Sequence, residues 1–188
     1  MVASGKTHTS AVDIAAHLIR LAAIEEEPDL LSPMRLQKLL YYVQGWALAE
    51  LDQPAFADSI EAWRHGPVVP EVYSRFKEFG KSVIPIDAVE DPNLSEFERE
   101  LVDQVWDAYK RCSATALSEM THRELPWIEA REGLMDNDHS KREIRTESIR
   151  SFFAQKIDRI NETLVGRIDD VIGRASENCR EFCGMLEL

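Results

Sequence analysis

Residues 60–69 constrain this chain most. They lie between two helix patterns and hold Trp63, His65, Gly66 and Pro67, with Pro70 just beyond. Pro67 drives its predecessor out of the helical region, and Gly66 tolerates whatever backbone results. The segment is therefore neither helix nor simple loop, and a short strand or hairpin is predicted near residues 56–69. Upstream, Ser32 stands at an N-cap and Pro33 at the first helical position, where a missing N–H costs nothing. Leu36, Leu39, Leu40, Val43 and Ala47 form one stripe, which Tyr41, Tyr42 and Trp46 widen. A helix apolar over so much of its circumference belongs at the centre of a domain. Its polar residues, Gln37, Lys38 and Gln44, are expected on the exposed side. Downstream, Pro70 opens a helix carrying Val72, Phe76 and Phe79, and Gly80 stops it.

The remaining pattern is helical throughout. Ser10 with Asp13 marks a helix bearing Ile14, Leu18, Leu21 and Ala22, ending in an acidic loop before Pro28. Ser95 and Glu98 form a capping box that starts a helix, with Phe97, Leu101, Val105 and Ala108 expected inward. Short helices follow near residues 114–120 and from Pro126-Trp127. Residues 136–140 read as a polar loop, and Thr146 caps a helix with Ile149, Phe152 and Phe153. From Ile157 to Leu186 one apolar stripe recurs at helical spacing. The expectation is a mainly α, single compact helical domain over residues 10–153, with an amphipathic helical tail over 154–188. That tail must cover its stripe on the domain, on a second copy as a homo-oligomer, or on a partner.

Charge narrows the function. The formal net charge is −12, which argues against broad contact with nucleic-acid phosphates and suits a basic partner. Residues 87–107 carry eight acids against Arg99 alone. Glu96, Glu100 and Asp103 in that run are candidate contacts. No apolar run is long enough to span a bilayer, and the first ten residues lack the apolar core of a secretory signal. Three cysteines without framework spacing fit reduced thiols, so the expected location is the cytoplasm, with no membrane partner.

Chemistry is thin by contrast. Cys179 and Cys183 lie four apart, but no CxxC or HExxH adds zinc ligands from His122, His139, Asp136 or Asp138. Counting from Asp136 as an EF-hand loop puts Glu147 at position 12, yet position 6 is Lys141 rather than Gly. No nucleophile motif or phosphate loop occurs. The chain reads as a non-enzyme without metal or cofactor. Trp63, Arg64 and His65 are better read as contacts, because Trp and Arg dominate binding hot spots and an open strand edge there could take a partner strand. The alternative for Trp63 is a core position, with Gly66 and Pro67 simply turning the chain. Trp46, Trp106 and Trp127 are read as core.

A resemblance adds to this. Residues 36–42 (LQKLLYY), Gly45-Trp46, residues 60–63 (IEAW) and residues 65–73 (HGPVVPEVY) resemble the signature of the Panacea-domain family. Residues 121–127 (THRELPW) and 149–153 (IRSFF) are similar to its C-terminal half. That family includes GepA-like phage-associated proteins and SocA-type antitoxins. The resemblance implies a bacterial or phage antitoxin of a toxin–antitoxin system, neutralising a cognate protein toxin by direct protein–protein binding. The candidate contacts, read from the residues themselves, are Trp63, Arg64, His65, Gly66 and Pro67. In the SocA-type branch the resemblance also implies a proteolytic adaptor that presents the toxin to an AAA+ protease such as ClpXP. The alternative is a DNA-binding autoregulator of its own operon, with the helix pair around Pro33–Glu50 as part of the reader. The lack of a basic face weighs against that reading.

Overall fold

The computed structural model describes residues 9–25 and 31–163. Chain order is α1 (Ala11–Ile24), α2 (Pro33–Glu50), β1 (Glu61–Trp63), β2 (Gly66–Val68), α3 (Pro70–Phe76), α4 (Glu96–Tyr109), α5 (Ala114–His122) and α6 (Leu125–Ala130). Lys77–Phe79 and Ile86–Ala88 form 3-10 turns. Two compact units meet in sequence at Phe153 and Ala154. In the first, residues 146–153 are helical; in the second, residues 154–163 are helical, with Ile160 half exposed. The predicted tail stripe beyond Thr163 lies outside the described residues. The architecture is mainly α with one antiparallel hairpin, as the sequence predicts.

Helix starts follow local chemistry. The Ser10 and Ser32 side chains accept from the backbone N–H three residues on, and Ser95 and Glu98 complete a reciprocal capping box. Residue 146, expected as a cap, is already helical, a one-residue shift at the boundary.

α2 is the centre. It packs against α1, α3, α4, α5 and β2. Leu36, Leu39, Leu40, Tyr41, Tyr42 and Val43 are fully buried, each contributing about 1.5–3 kcal/mol by removal from water. Gly45 sits mid-helix because a Cβ there would overlap the ring of Phe153. Phe153 in turn meets Tyr41, Tyr42 and Trp46 edge-to-face at 5.3–6.0 Å. Trp106 is core, whereas Trp46 and Trp127 are half-buried against it.

Two expectations about helix faces are corrected. Gln37, Lys38 and Gln44 are buried, with 2%, 1% and 5% exposure. The irregular segment between α2 and α3 lies over this face. Its backbone has few ladder partners, so polar side chains of α2 must supply them. Gln44 Nε2 donates to the Phe56 carbonyl (3.1 Å), and its Oε1 accepts from the N–H groups of Ala55 and Phe56. On α4, Leu101, Val102, Val105 and Trp106 face inward, while Phe97 is 58% exposed and Ala108 is exposed. Val102 and Trp106 set the phase of the helix, leaving Phe97 in the first turn at the rim of the core.

Candidate functional site

β1 and β2 pair antiparallel, Glu61 with Val68, Ala62 with Pro67 and Trp63 with Gly66. Arg64 and His65 form the exposed tip. A three-residue strand pair is marginal alone, and here side chains from the helices hold it through its carbonyls. Arg131, just after α6, donates from Nη1 to the Ala62 carbonyl at 3.2 Å, and Trp127 Nε1 donates to that of Trp63 at 2.9 Å. His122 Nε2–H donates to the Arg64 carbonyl at 3.1 Å, and Ser118 Oγ to that of His65 at 3.1 Å. Lys38 Nζ donates to the Pro67 carbonyl at 2.9 Å, and Gln37 Oε1 accepts from the Val69 N–H at 2.7 Å. The main chain of the hairpin is thus fixed, while Arg64 and His65 project outward.

The tip needs its glycine. Gly66 has φ of 97°, in the left-handed region, and a Cβ there would press on Thr121 Oγ1 and on the end of Lys38. Trp63 is half-buried. Its Nε1 donates to Glu61 at 2.6 Å, and its ring meets Tyr73 edge-to-face at 4.7 Å. Gly66 and Pro67 are buried, so they shape the tip and do not form its surface. The open strand edge expected here is also corrected. Residues 142–144 cover the outer side of β1: the Ala62 N–H donates to the Arg142 carbonyl and the Ile144 N–H to the Ile60 carbonyl. On β2, Pro67 lacks an N–H and its carbonyl is engaged by Lys38.

Beside the tip lies a cleft of about 440 Å³. Its walls come from the first turn of α2, the hairpin, α3 with its following turn, and the loop at residues 139–141. The charged groups on it are Lys38, Arg64, Lys77 and Lys141, with His65 and His139; no Asp or Glu lines it. Burial pushes the Lys38 ammonium down to about 7. His65 is lowered by burial and by the charges of Arg64 and Lys38, and His122 is lowered mainly by burial.

The polar loop after α6 is built around Arg131. One guanidinium nitrogen donates to the carbonyls of Met135, Asp136 and Asp138, and the group stacks on Trp127 at 5.1 Å. An internal cation thus organises the main chain of this loop. Among the described residues no cluster of three metal-ligating side chains occurs. Cys179 and Cys183 lie outside them.

The acidic candidates stand apart from the cleft. Glu96 and Glu100 are exposed on α4. Asp103 is half exposed and is engaged within the fold by His17 Nε2 at 2.7 Å. Sequence reasoning missed Ser118 and Arg131 altogether, and it assigned Gln37 and Lys38 to solvent. Nothing local marks these side chains, because the main-chain groups of the hairpin that they bond are distant in sequence. No described helix is long and apolar enough to cross a membrane.

A mainly α domain with a helix-pinned hairpin is the class this geometry defines. Residues 36–128, which contain α2 from Leu36 onward, the hairpin and every side chain described above as pinning it except that of Arg131, match the family model described as antitoxin SocA-like, Panacea domain. The chain carries a Panacea domain of that family. It is similar to Antitoxin SocA of Caulobacter vibrioides, 37% identical over 82 residues. The match takes in 44% of this chain and 43% of that relative, less than half the relative's length. No solved structure matches the chain.

Proposed function

We propose that this protein is an antitoxin that neutralises a cognate protein toxin by direct contact, with the hairpin tip as the central contact. Family membership supports the antitoxin role. The observation that carries the contact site is the clamping of the carbonyls of residues 62–65 and 67 by side chains from α2, α5 and the α6 region. A fixed loop presents Arg64 and His65 without loss of loop entropy on binding, which is how preorganised surfaces gain affinity. Arg at such a position, flanked by a half-buried Trp, has hot-spot composition. Glu96 and Glu100, exposed on α4, supply a second, acidic surface suited to a basic toxin, while Asp103 beside them is engaged by His17.

Two routes use the same contact. In occlusion the bound protein covers the toxin's working surface. In adaptor action a separate surface, such as residues 154–188, brings an AAA+ protease to the toxin. Co-expression with the adjacent open reading frames tests the antitoxin reading. One product should be toxic alone, harmless with this protein, and recovered with it in near-equal amount; no neutralised or co-purified product would overturn the reading. Toxin half-life then separates the routes. Persistence of the toxin when protease, ATP and this protein are all present supports occlusion, and its loss supports adaptor action.

Operon autoregulation is the weaker reading. α2 is enclosed by other elements, so it does not lie in a groove as a DNA reader.

A further inference from the structure

The cleft beside the hairpin is lined by groups of one electrostatic kind in a chain of the opposite kind. The chain has 34 acids against 22 Lys and Arg, yet the cleft is lined by Lys38, Arg64, Lys77 and Lys141 without a carboxylate. Arg64, Lys77 and Lys141 form no ion pair among the described residues, so their charge is not answered from within the fold.

The buried polar groups on the wall point the same way. Gln37 is 2% exposed. Its oxygen is used by the Val69 N–H, and its Nε2 is buried without a hydrogen-bond partner among the described residues. Lys38 is 1% exposed and gives one of its three N–H groups to Pro67. Both leave unused donors. Buried donors without partners are rare, and each calls for an acceptor. The N-terminal turn of α2, with Pro33 and Met34 on the wall, adds the positive end of a helix dipole. Trp63, Tyr73, Val68 and Met34 supply apolar surface on the wall. The volume of about 440 Å³ is that of a small-molecule site.

We infer that this cleft binds a small organic anion, a phosphate or carboxylate carried on a flat apolar body, with Lys38 and Gln37 donating to the anionic group and Trp63 and Tyr73 flanking the body. A charged acceptor beside Lys38 holds the ammonium protonated and offsets its burial. Phosphate and carboxylate share the same donors, and the probe set separates them.

Titration calorimetry on the full chain, without any toxin, tests this with phenyl phosphate, benzoate, inorganic phosphate and phenol, while the tryptophan indole N–H signals are followed by NMR. The expected result is that phenyl phosphate or benzoate binds at least tenfold more tightly than inorganic phosphate and phenol, and shifts the Trp63 signal more than that of Trp106. Lys38→Met should weaken that binding at least tenfold. Should that variant not fold, the surface variant Lys141→Ala should weaken it several-fold. Absence of binding by either organic anion at millimolar concentration, or equal binding by the variants, overturns the inference. Because no toxin enters the experiment, this outcome is separate from the fate of the antitoxin reading.

Discussion

Lys38 Nζ lies 2.9 Å from the carbonyl oxygen of Pro67 and donates to it from a position almost wholly removed from water. One buried ammonium thereby ties the central helix to the strand that follows the tip. The arrangement costs the fold the desolvation of a charge, and the cost depends on pH. In the unfolded chain Lys38 titrates near its usual 10.5; in the fold it titrates at about 7. Between those values the unfolded state binds more protons, so stability rises with pH across this window. Urea unfolding should show wild-type stability gaining about 2 kcal/mol from pH 7 to pH 9 relative to Lys38→Met. Parallel pH profiles for the two proteins would contradict the burial of the charge.

Trp127 and Trp63 give a second test. Trp127→Phe keeps an aromatic ring, smaller than the indole, and removes the Nε1 donor to the Trp63 carbonyl. The expected cost is about 1–2 kcal/mol of stability. Amide exchange at residues 63–66 should speed up more than at α1 or α4, and toxin affinity should fall even though Trp127 need not touch the toxin. Unchanged exchange at the tip would show that the clamp does not hold it.

Gly45 is a packing requirement. Alanine is the better helix former by roughly 0.5–1 kcal/mol, but its Cβ overlaps the Phe153 ring. Gly45→Ala should therefore destabilise the protein by about 1–3 kcal/mol. Pairing it with Phe153→Leu should recover part of that loss, a coupling read by a double-mutant cycle of unfolding free energies.

Gln44→Leu removes a side chain that satisfies two N–H groups and one carbonyl of residues 55–56. With those groups buried or half-buried, the expected loss is on the order of 3 kcal/mol. A loss below about 0.5 kcal/mol would mean that water replaces the glutamine there.

Much of this architecture is legible in the sequence because it rests on local signals. The Ser10, Ser32 and Ser95 caps, Pro33, Pro70 and Gly80 each mark a boundary that the fold uses. Gly66-Pro67 marks the hairpin for the same reason. The faces of α2 are not legible in this way. Gln37, Lys38 and Gln44 look like a solvent stripe, and only the backbone of residues 55–69, folded across them, reveals them as donors and acceptors to main chain. The cleft is hidden similarly. Lys38, Lys77 and Lys141 are ordinary surface lysines in sequence, and net charge averages away the site where they meet. Asp103 shows the reverse case, since it looks like part of an open acidic run but is engaged by His17 from α1.

The most direct measurement is the affinity of the purified chain for the product that co-expression shows it to neutralise, wild type against the double variant Arg64→Glu with His65→Asp. Both side chains are exposed, so thermal stability should hold. The expected result is a weakening of at least a hundredfold, with neutralisation lost in cells. Unchanged affinity in a stably folded double variant would contradict the hairpin tip as the toxin contact.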